Sequence, residues 1–342
     1  MTVQKRTYPA IDLFKLLFML LIVLHHSGCF ANTLKRGYIG VEYFFMVSGF
    51  LIAKTAMESP HMGVLGYTKR RFVKLYPHYL FSFVVMFLGT YTFRGQLNSH
   101  TFLAHIPEVL LLQNLFIQFG GVNYPCWYLS VLFYSSIFIF WLLKKSSFKV
   151  IAISGTIIST LTFVYMAIAY GKLETFATIL MFYLPFWRGL SELLIGVILY
   201  RISVKLEEKI YEKYKLSFRI IEICTSVLIT AFLFIPGKWD FLELLLIALL
   251  VVSITSPYSL FIIADTSVWI RTGIRYEYSV FLNHAFVIGL LGKLLFDRVA
   301  VPGIMAALVV VSCTFVYSVC TSKFVDLIQA EVKNRFRMRI KA

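Results

Sequence analysis

The feature that most constrains this chain is its division into apolar blocks of roughly 20 residues. These lie near 10–28, 39–56, 75–93, 102–118, 127–143, 149–169, 175–200, 219–235, 240–256, 277–295 and 302–321. About 20 apolar residues in a helix cross the ~30 Å hydrocarbon layer of a bilayer. Lipid offers no partner for backbone polar groups, so each crossing must satisfy its own hydrogen bonds, as a helix does. The expected fold is therefore all-α: a polytopic integral membrane bundle. Composition agrees, with 59% hydrophobic and only 15% charged residues over 342 positions. A soluble domain carries about a quarter charged residues.

Charge placement decides how many blocks cross. Basic residues gather in Lys69-Arg70-Arg71 with Lys74, in Lys144-Lys145 with Lys149, between Arg201 and Arg219, and in a tail from Lys333 to Arg339. The positive-inside rule places such clusters on the cytoplasmic side. Eleven crossings would split them between two sides. Ten crossings keep them together, with both termini cytoplasmic, if the block at 102–118 dips in and returns. That block holds His105, Pro107 and Glu108, which suit it least for spanning. The segment 257–276 reads as an amphipathic helix lying on the membrane. The basic tail at 326–342 follows a single transmembrane domain whose core is about 8–325.

The net charge of +16 does not point to nucleic acid, because the basic residues sit in short segments between apolar blocks. Such clusters attract anionic headgroups or an anionic cofactor instead. The five cysteines, Cys29, Cys126, Cys224, Cys313 and Cys320, form no CxxC pair and no zinc spacing, and read as small buried hydrophobes. No metal is expected. The basic start and apolar run of the N-terminus lack a small-residue cleavage site, which reads as a retained first span.

Ionisable residues inside spans are costly and mark functional candidates. The first block holds Asp12, Lys15, His25 and His26. Lys15 and His26 are eleven residues apart, about 20° beyond three full turns, so they share a face at an axial separation of about 16 Å. Asp12, three residues before Lys15, lies on that face within reach of an ion pair. His25 points roughly 100° away. A lysine snorkelling at one interface and a histidine satisfied at the other also fit this pattern.

The pattern of Asp12, Lys15 and His26 resembles the opening of the membrane-bound acyltransferase-3 family, which generally has Arg at the position of Lys15. GVEYFFMVSGFLI (Gly40 to Ile52) resembles that family's second-helix signature, with Phe44, Phe45, Ser48, Gly49 and Phe50 in place. Arg71-Phe-Val-Lys74-Leu-Tyr76-Pro77 resembles its basic loop. Looser likenesses follow in order: Pro125 to Ser130 around Trp127, Arg188 to Glu192 with Gly196, and Tyr278 to His284. A Glu that many members carry shortly after the Trp is replaced here by Val131 and Leu132.

The resemblance implies transfer of an acyl group, usually acetyl from acetyl-CoA, to a hydroxyl of an extracytoplasmic glycan or lipid-linked saccharide. The expected partners are acyl-CoA, that acceptor and membrane lipids. Lys15, Arg71 and Lys74 suit an entrance for CoA phosphates, with Ser48 nearby. His26 is the candidate base, since neutral imidazole takes a proton near pH 7, or else the acyl-accepting nucleophile. Asp12, which fixes Lys15, and His284 complete the catalytic candidates. Glu42, Trp127, Tyr128, Arg188 and Glu192 are substrate-binding candidates. Each has a plainer explanation: topology for Arg71 and Lys74, solvation at a span end for Glu42, helix packing for Ser48 and Gly49. An interfacial aromatic belt accounts for Trp127 and Tyr128, and an i,i+4 pair for Arg188 and Glu192. A transporter or flippase, or a non-catalytic membrane subunit, would also keep charges in its spans.

Overall fold

The computed structural model describes residues 8–30, 34, 36–115, 121–179, 181–206, 208–235, 238–262, 267–292 and 303–341. Ten long helices make up almost all of it: α1 (Pro9–Ser27), α2 (Gly40–Glu58), α3 (Val64–Phe93), α6 (Trp127–Lys145), α7 (Phe148–Ala169), α8 (Leu184–Lys205), α10 (Lys215–Phe234), α11 (Asp240–Ile254), α12 (Val268–Gly292) and α13 (Gly303–Lys341). Three short helices join them: α4 (Ser99–Ala104), α5 (Ile106–Val109) and α9 (Glu208–Lys213). The described strands are a two-residue antiparallel pair, β1 (Thr178–Ile179) with β2 (Phe182–Tyr183).

Seven of these helices are long and apolar enough to cross a membrane on length and composition alone. The other long ones, α8, α11 and α12, are short or carry charges. Glu192, Glu243 and Glu277 lie on them, each salt-bridged to an arginine or lysine. An inward-facing paired charge is compatible with crossing lipid. Helix directions alternate along the chain. Lys15 meets Glu277 while His26 meets His284, so α1 and α12 run parallel. Phe72 packs on Phe133 while Tyr67 packs on Phe140, so α3 and α6 run antiparallel. Lys144, at the end of α6, donates to the Ala56 and Ser59 carbonyls at the end of α2, just ahead of the basic cluster that opens α3.

The described part of the block at 102–118, residues 102–115, forms no helix long enough to cross. It breaks into α4 and α5 and then an irregular path, with positive φ at Leu111 and Asn114. Backbone without regular structure at this depth must be satisfied by protein. The buried Glu108 carboxylate accepts the backbone N–H groups of Val122 (2.9 Å) and Asn123 (3.0 Å), and His105 Nδ1 sits 3.0 Å from it. Tyr76, Tyr79 and Tyr134 donate to the carbonyls of Val109, Glu108 and Leu110. Asn123 then donates its side-chain amide to the Leu282 carbonyl at 2.9 Å, tying this loop to α12.

Two expectations need correction. Residues 268–276 are the first turns of α12 rather than a separate surface helix, since Glu277 and Tyr278 continue the same rod toward the bundle centre. Of the cysteines, only Cys126 is buried; Cys29 is half-buried, and Cys224, Cys313 and Cys320 lie on outer helix faces. The basic tail continues α13 as helix.

The closest packing is between α2 and α8. A Cβ on Gly49 would run into the Leu193 backbone, and one on Gly196 would run into the Met46 carbonyl. Small residues permit such approach where lipid gives helices no hydrophobic reason to associate. This seam holds Phe45, Phe50, Leu193 and Val197 with essentially no exposure, and it fixes where Glu42 and Arg188 lie.

Candidate functional site

The polar face of α1 looks into the bundle at both ends. At the basic end, Lys15 Nζ lies 2.7 Å from Asp12 Oδ1, the expected pair, and 3.4 Å from Glu277 Oε1 on α12. Glu277 was not singled out in the sequence, although it directly precedes the Tyr278 motif. The Lys15 ammonium is thus a bridge between two helices rather than an unpaired cation.

Three turns further on, His26 Nδ1 lies 2.8 Å from His284 Nε2, and the two rings are nearly parallel. His284 is fully buried, and its Nδ1 is 2.6 Å from the Phe281 carbonyl. A carbonyl only accepts, so the proton of neutral His284 sits on Nδ1 and its Nε2 is left as an acceptor. His26 then donates from Nδ1, and its Nε2 carries a lone pair. With both rings neutral, the tautomers are assigned from this network. Lys15–Glu277 and His26–His284 are two rungs of one α1–α12 seam. His25 points elsewhere, toward the Leu34 carbonyl and the Tyr38 ring.

Two cavities border this seam. The inner one, about 210 Å³, is lined at its basic end by Lys15, Arg71, Lys74 and Glu277, and further in by Ser48 and Tyr128. Arg71 donates to the neutral Tyr67 hydroxyl at 3.2 Å and leaves its buried Nε without a partner. Lys74 has no hydrogen bond or salt bridge among the described residues. Two cations free of carboxylate partners in one concave wall suit an anion. The outer cavity, about 40 Å³, is lined by His26, Tyr38, Trp127, Glu174, Phe176 and Arg188, among others.

Glu42 is not solvated at a span end. It is wholly buried and takes two hydrogen bonds from Arg188, one from Nε at 3.1 Å and one from Nη2. The correction has a packing cause: the α2–α8 approach at Gly49 and Gly196 leaves no route for solvent to that carboxylate. Glu192 is a second, looser partner of Arg188 at 3.4 Å, and Nη1 donates to the Leu173 carbonyl at 3.1 Å. Trp127 stands beside this guanidinium, 5.7 Å from its ring centroid, and packs on Phe45 and Phe176. Tyr128 packs on Phe45 and Phe281. Both aromatics line the interior rather than forming an interfacial belt. Ser48 lines the inner cavity while its neighbour Gly49 makes the close helix contact, so the two residues divide the roles between them.

A second charged cluster lies beyond the sequence candidates. Arg36 pairs with Asp240 at 2.5 Å and with Glu243, and Tyr38 donates to Asp240 at 2.9 Å. Asp240 also accepts the Leu173 N–H at 2.7 Å. Leu173 is therefore held at its N–H by Asp240 and at its carbonyl by Arg188, which fixes the neighbouring Glu174 at the outer cavity. No spacing rule links residues 36, 174 and 240 to Arg188, so only the fold reveals them.

The acyltransferase-3 family, whose defining unit is an acyltransferase domain, matches residues 8–322 of the chain. Three curated relatives are the O-acetyltransferase OatA of Staphylococcus aureus strains NCTC 8325 / PS 47, COL and MRSA252. Each is 26% identical over 123 residues, which is 35% of this chain and 20% of the relative. The matched stretch thus covers about a fifth of the length of those relatives. No solved structure matches the chain.

Proposed function

The chain belongs to the acyltransferase-3 family, and from that premise we propose that it carries an acetyl group from acetyl-CoA on the basic, cytoplasmic side to a sugar hydroxyl at the outer cavity. The observation that carries this reading is the His284-held tautomer of His26, which leaves Nε2 free to take a proton.

In this reading Arg71 and Lys74 hold the CoA phosphates, Arg as a fork and Lys as a point charge. The thin pantetheine arm enters the inner cavity and brings the thioester toward His26. Lys15, committed to Asp12 and Glu277, sets the register of α1 on α12 rather than binding phosphate. The acceptor is a glycan or lipid-linked saccharide that sends one hydroxyl into the outer cavity, where it donates to Glu174. His26 Nε2 takes the proton of the attacking hydroxyl as the new C–O bond forms. The C–S bond then breaks, and the protonated His26 returns the proton to the CoA thiolate. Arg188 with Glu42 and Glu192 is the rigid support of the outer wall. A transporter's midplane site is built from a pair of interrupted helices in corresponding halves, whereas the described residues show one broken block, at 102–115.

The test follows labelled acetyl from acetyl-CoA into surface glycan in membranes containing the protein. His26→Ala lowers transfer by roughly 10²–10⁴-fold. His284→Ala, which frees the tautomer, lowers kcat by about 10–100-fold, the usual effect of removing an orienting partner. Undiminished transfer by His26→Ala, with the protein still in the membrane, overturns the assignment.

A further inference from the structure

The inner and outer cavities share three lining residues: Ile22, Val41 and Phe281. These come from the three helices that meet at the site, α1, α2 and α12. Ile22 lies on the same face of α1 as Lys15 and His26, about 10 Å beyond the first and about 6 Å short of the second along the axis. Val41 begins α2, beside the Gly40 contact with Ile22. Phe281 lends its ring to the collar while its carbonyl clamps His284. Ile22 and Val41 are nearly buried, and β-branched side chains on a helix have one strongly preferred χ1, so these two sides of the aperture are stiff.

We propose that the Ile22–Val41–Phe281 collar sets the length of acyl group this protein transfers, admitting acetyl and rejecting longer chains. The inference rests on the site being one of acyl transfer from CoA. Thioester carbon and acceptor oxygen must meet at His26, so the acyl group lies in the collar when the C–O bond forms. Beyond the collar the outer cavity measures only about 40 Å³. That is room for about three waters, and the acceptor hydroxyl with its carbon must share it. Space for a longer chain exists only on the inner side, where the pantetheine arm already runs. Each added methylene therefore presses on Ile22, Val41 or Phe281. A pocket that excludes one methylene discriminates by roughly 10–200-fold.

The experiment compares kcat/KM for acetyl-, propionyl- and butyryl-CoA in wild type, Ile22→Ala, Val41→Ala and the milder Ile22→Val. The butyryl/acetyl ratio rises roughly tenfold or more in the alanine variants and less in Ile22→Val. Leu51→Ala, which lines the inner cavity alone, alters KM for all three donors alike and leaves the ratio unchanged. Retained acetyl transfer with an unchanged ratio in Val41→Ala and both Ile22 variants overturns the collar. Absence of transfer from any acyl-CoA in wild type overturns the underlying function instead, so the two failures are distinct.

Discussion

Arg188→Met is the most severe single change the charge arrangement allows. Arg188 is 2% exposed and serves Glu42, Glu192 and the Leu173 carbonyl, while Glu42 and Glu192 are fully buried. Methionine nearly preserves the side chain's volume, so packing changes little and the loss is electrostatic. The variant holds two carboxylates and no cation where the wild type holds two and one. Removing one partner of a buried pair costs about 3–5 kcal/mol, roughly two to four orders of magnitude in the folded-to-unfolded ratio. Glu192→Gln keeps the tighter Glu42–Arg188 pair and costs about 1 kcal/mol or less. Glu42→Gln leaves Arg188 with Glu192 at 3.4 Å and falls between the two. The expected order of loss is therefore Arg188→Met, then Glu42→Gln, then Glu192→Gln. Denaturant titration in mixed micelles, read by tryptophan fluorescence with Trp127 beside the guanidinium, measures it. Equal stability of Arg188→Met and Glu192→Gln would refute the charge count.

Two further outcomes follow from the same structure. Gly196→Ala places a methyl against the Met46 carbonyl and the Phe50 N–H, and overpacking of this kind costs about 1–3 kcal/mol; Gly289→Ala, with open space around it, is the neutral comparison in the same titration. Arg71→Ala and Lys74→Ala each weaken CoA binding by about tenfold, with a shallower salt dependence, whereas Lys15→Met lowers turnover more than affinity; calorimetric titration against ionic strength separates the two patterns.

Much of the site was legible along single helices. The Asp12–Lys15 pair and the shared face of Lys15 and His26 follow from helix geometry alone, and the first of these is a 2.7 Å contact in the fold. The break in the block at 102–118 followed from Pro107 and Glu108 together with the sidedness of the basic clusters. The reading failed where depth was judged from position in a block. Glu42 looked like a residue at a span mouth, but the α2–α8 approach seals it. The segment 257–276 was read as a surface helix, whereas residues 268–276 open α12, whose Glu277 has its partner on α1.

The opening feature, apolar blocks of membrane-crossing length, determined by itself that this is a helical membrane protein, which side its basic residues share, and which face of α1 is polar. Those are properties of one chain segment and its solvent, and periodicity encodes them. The tertiary structure alone decided what that face meets: Glu277 262 residues from Lys15, and His284 258 residues from His26. Helical period fixes the angle of a residue about its own axis, but not the rotation and height of one helix against another. Those depend on how closely backbones approach at positions such as Gly49 and Gly196, and on loop anchors such as Asn123 on Leu282. The contact of His26 with His284 is set by that packing.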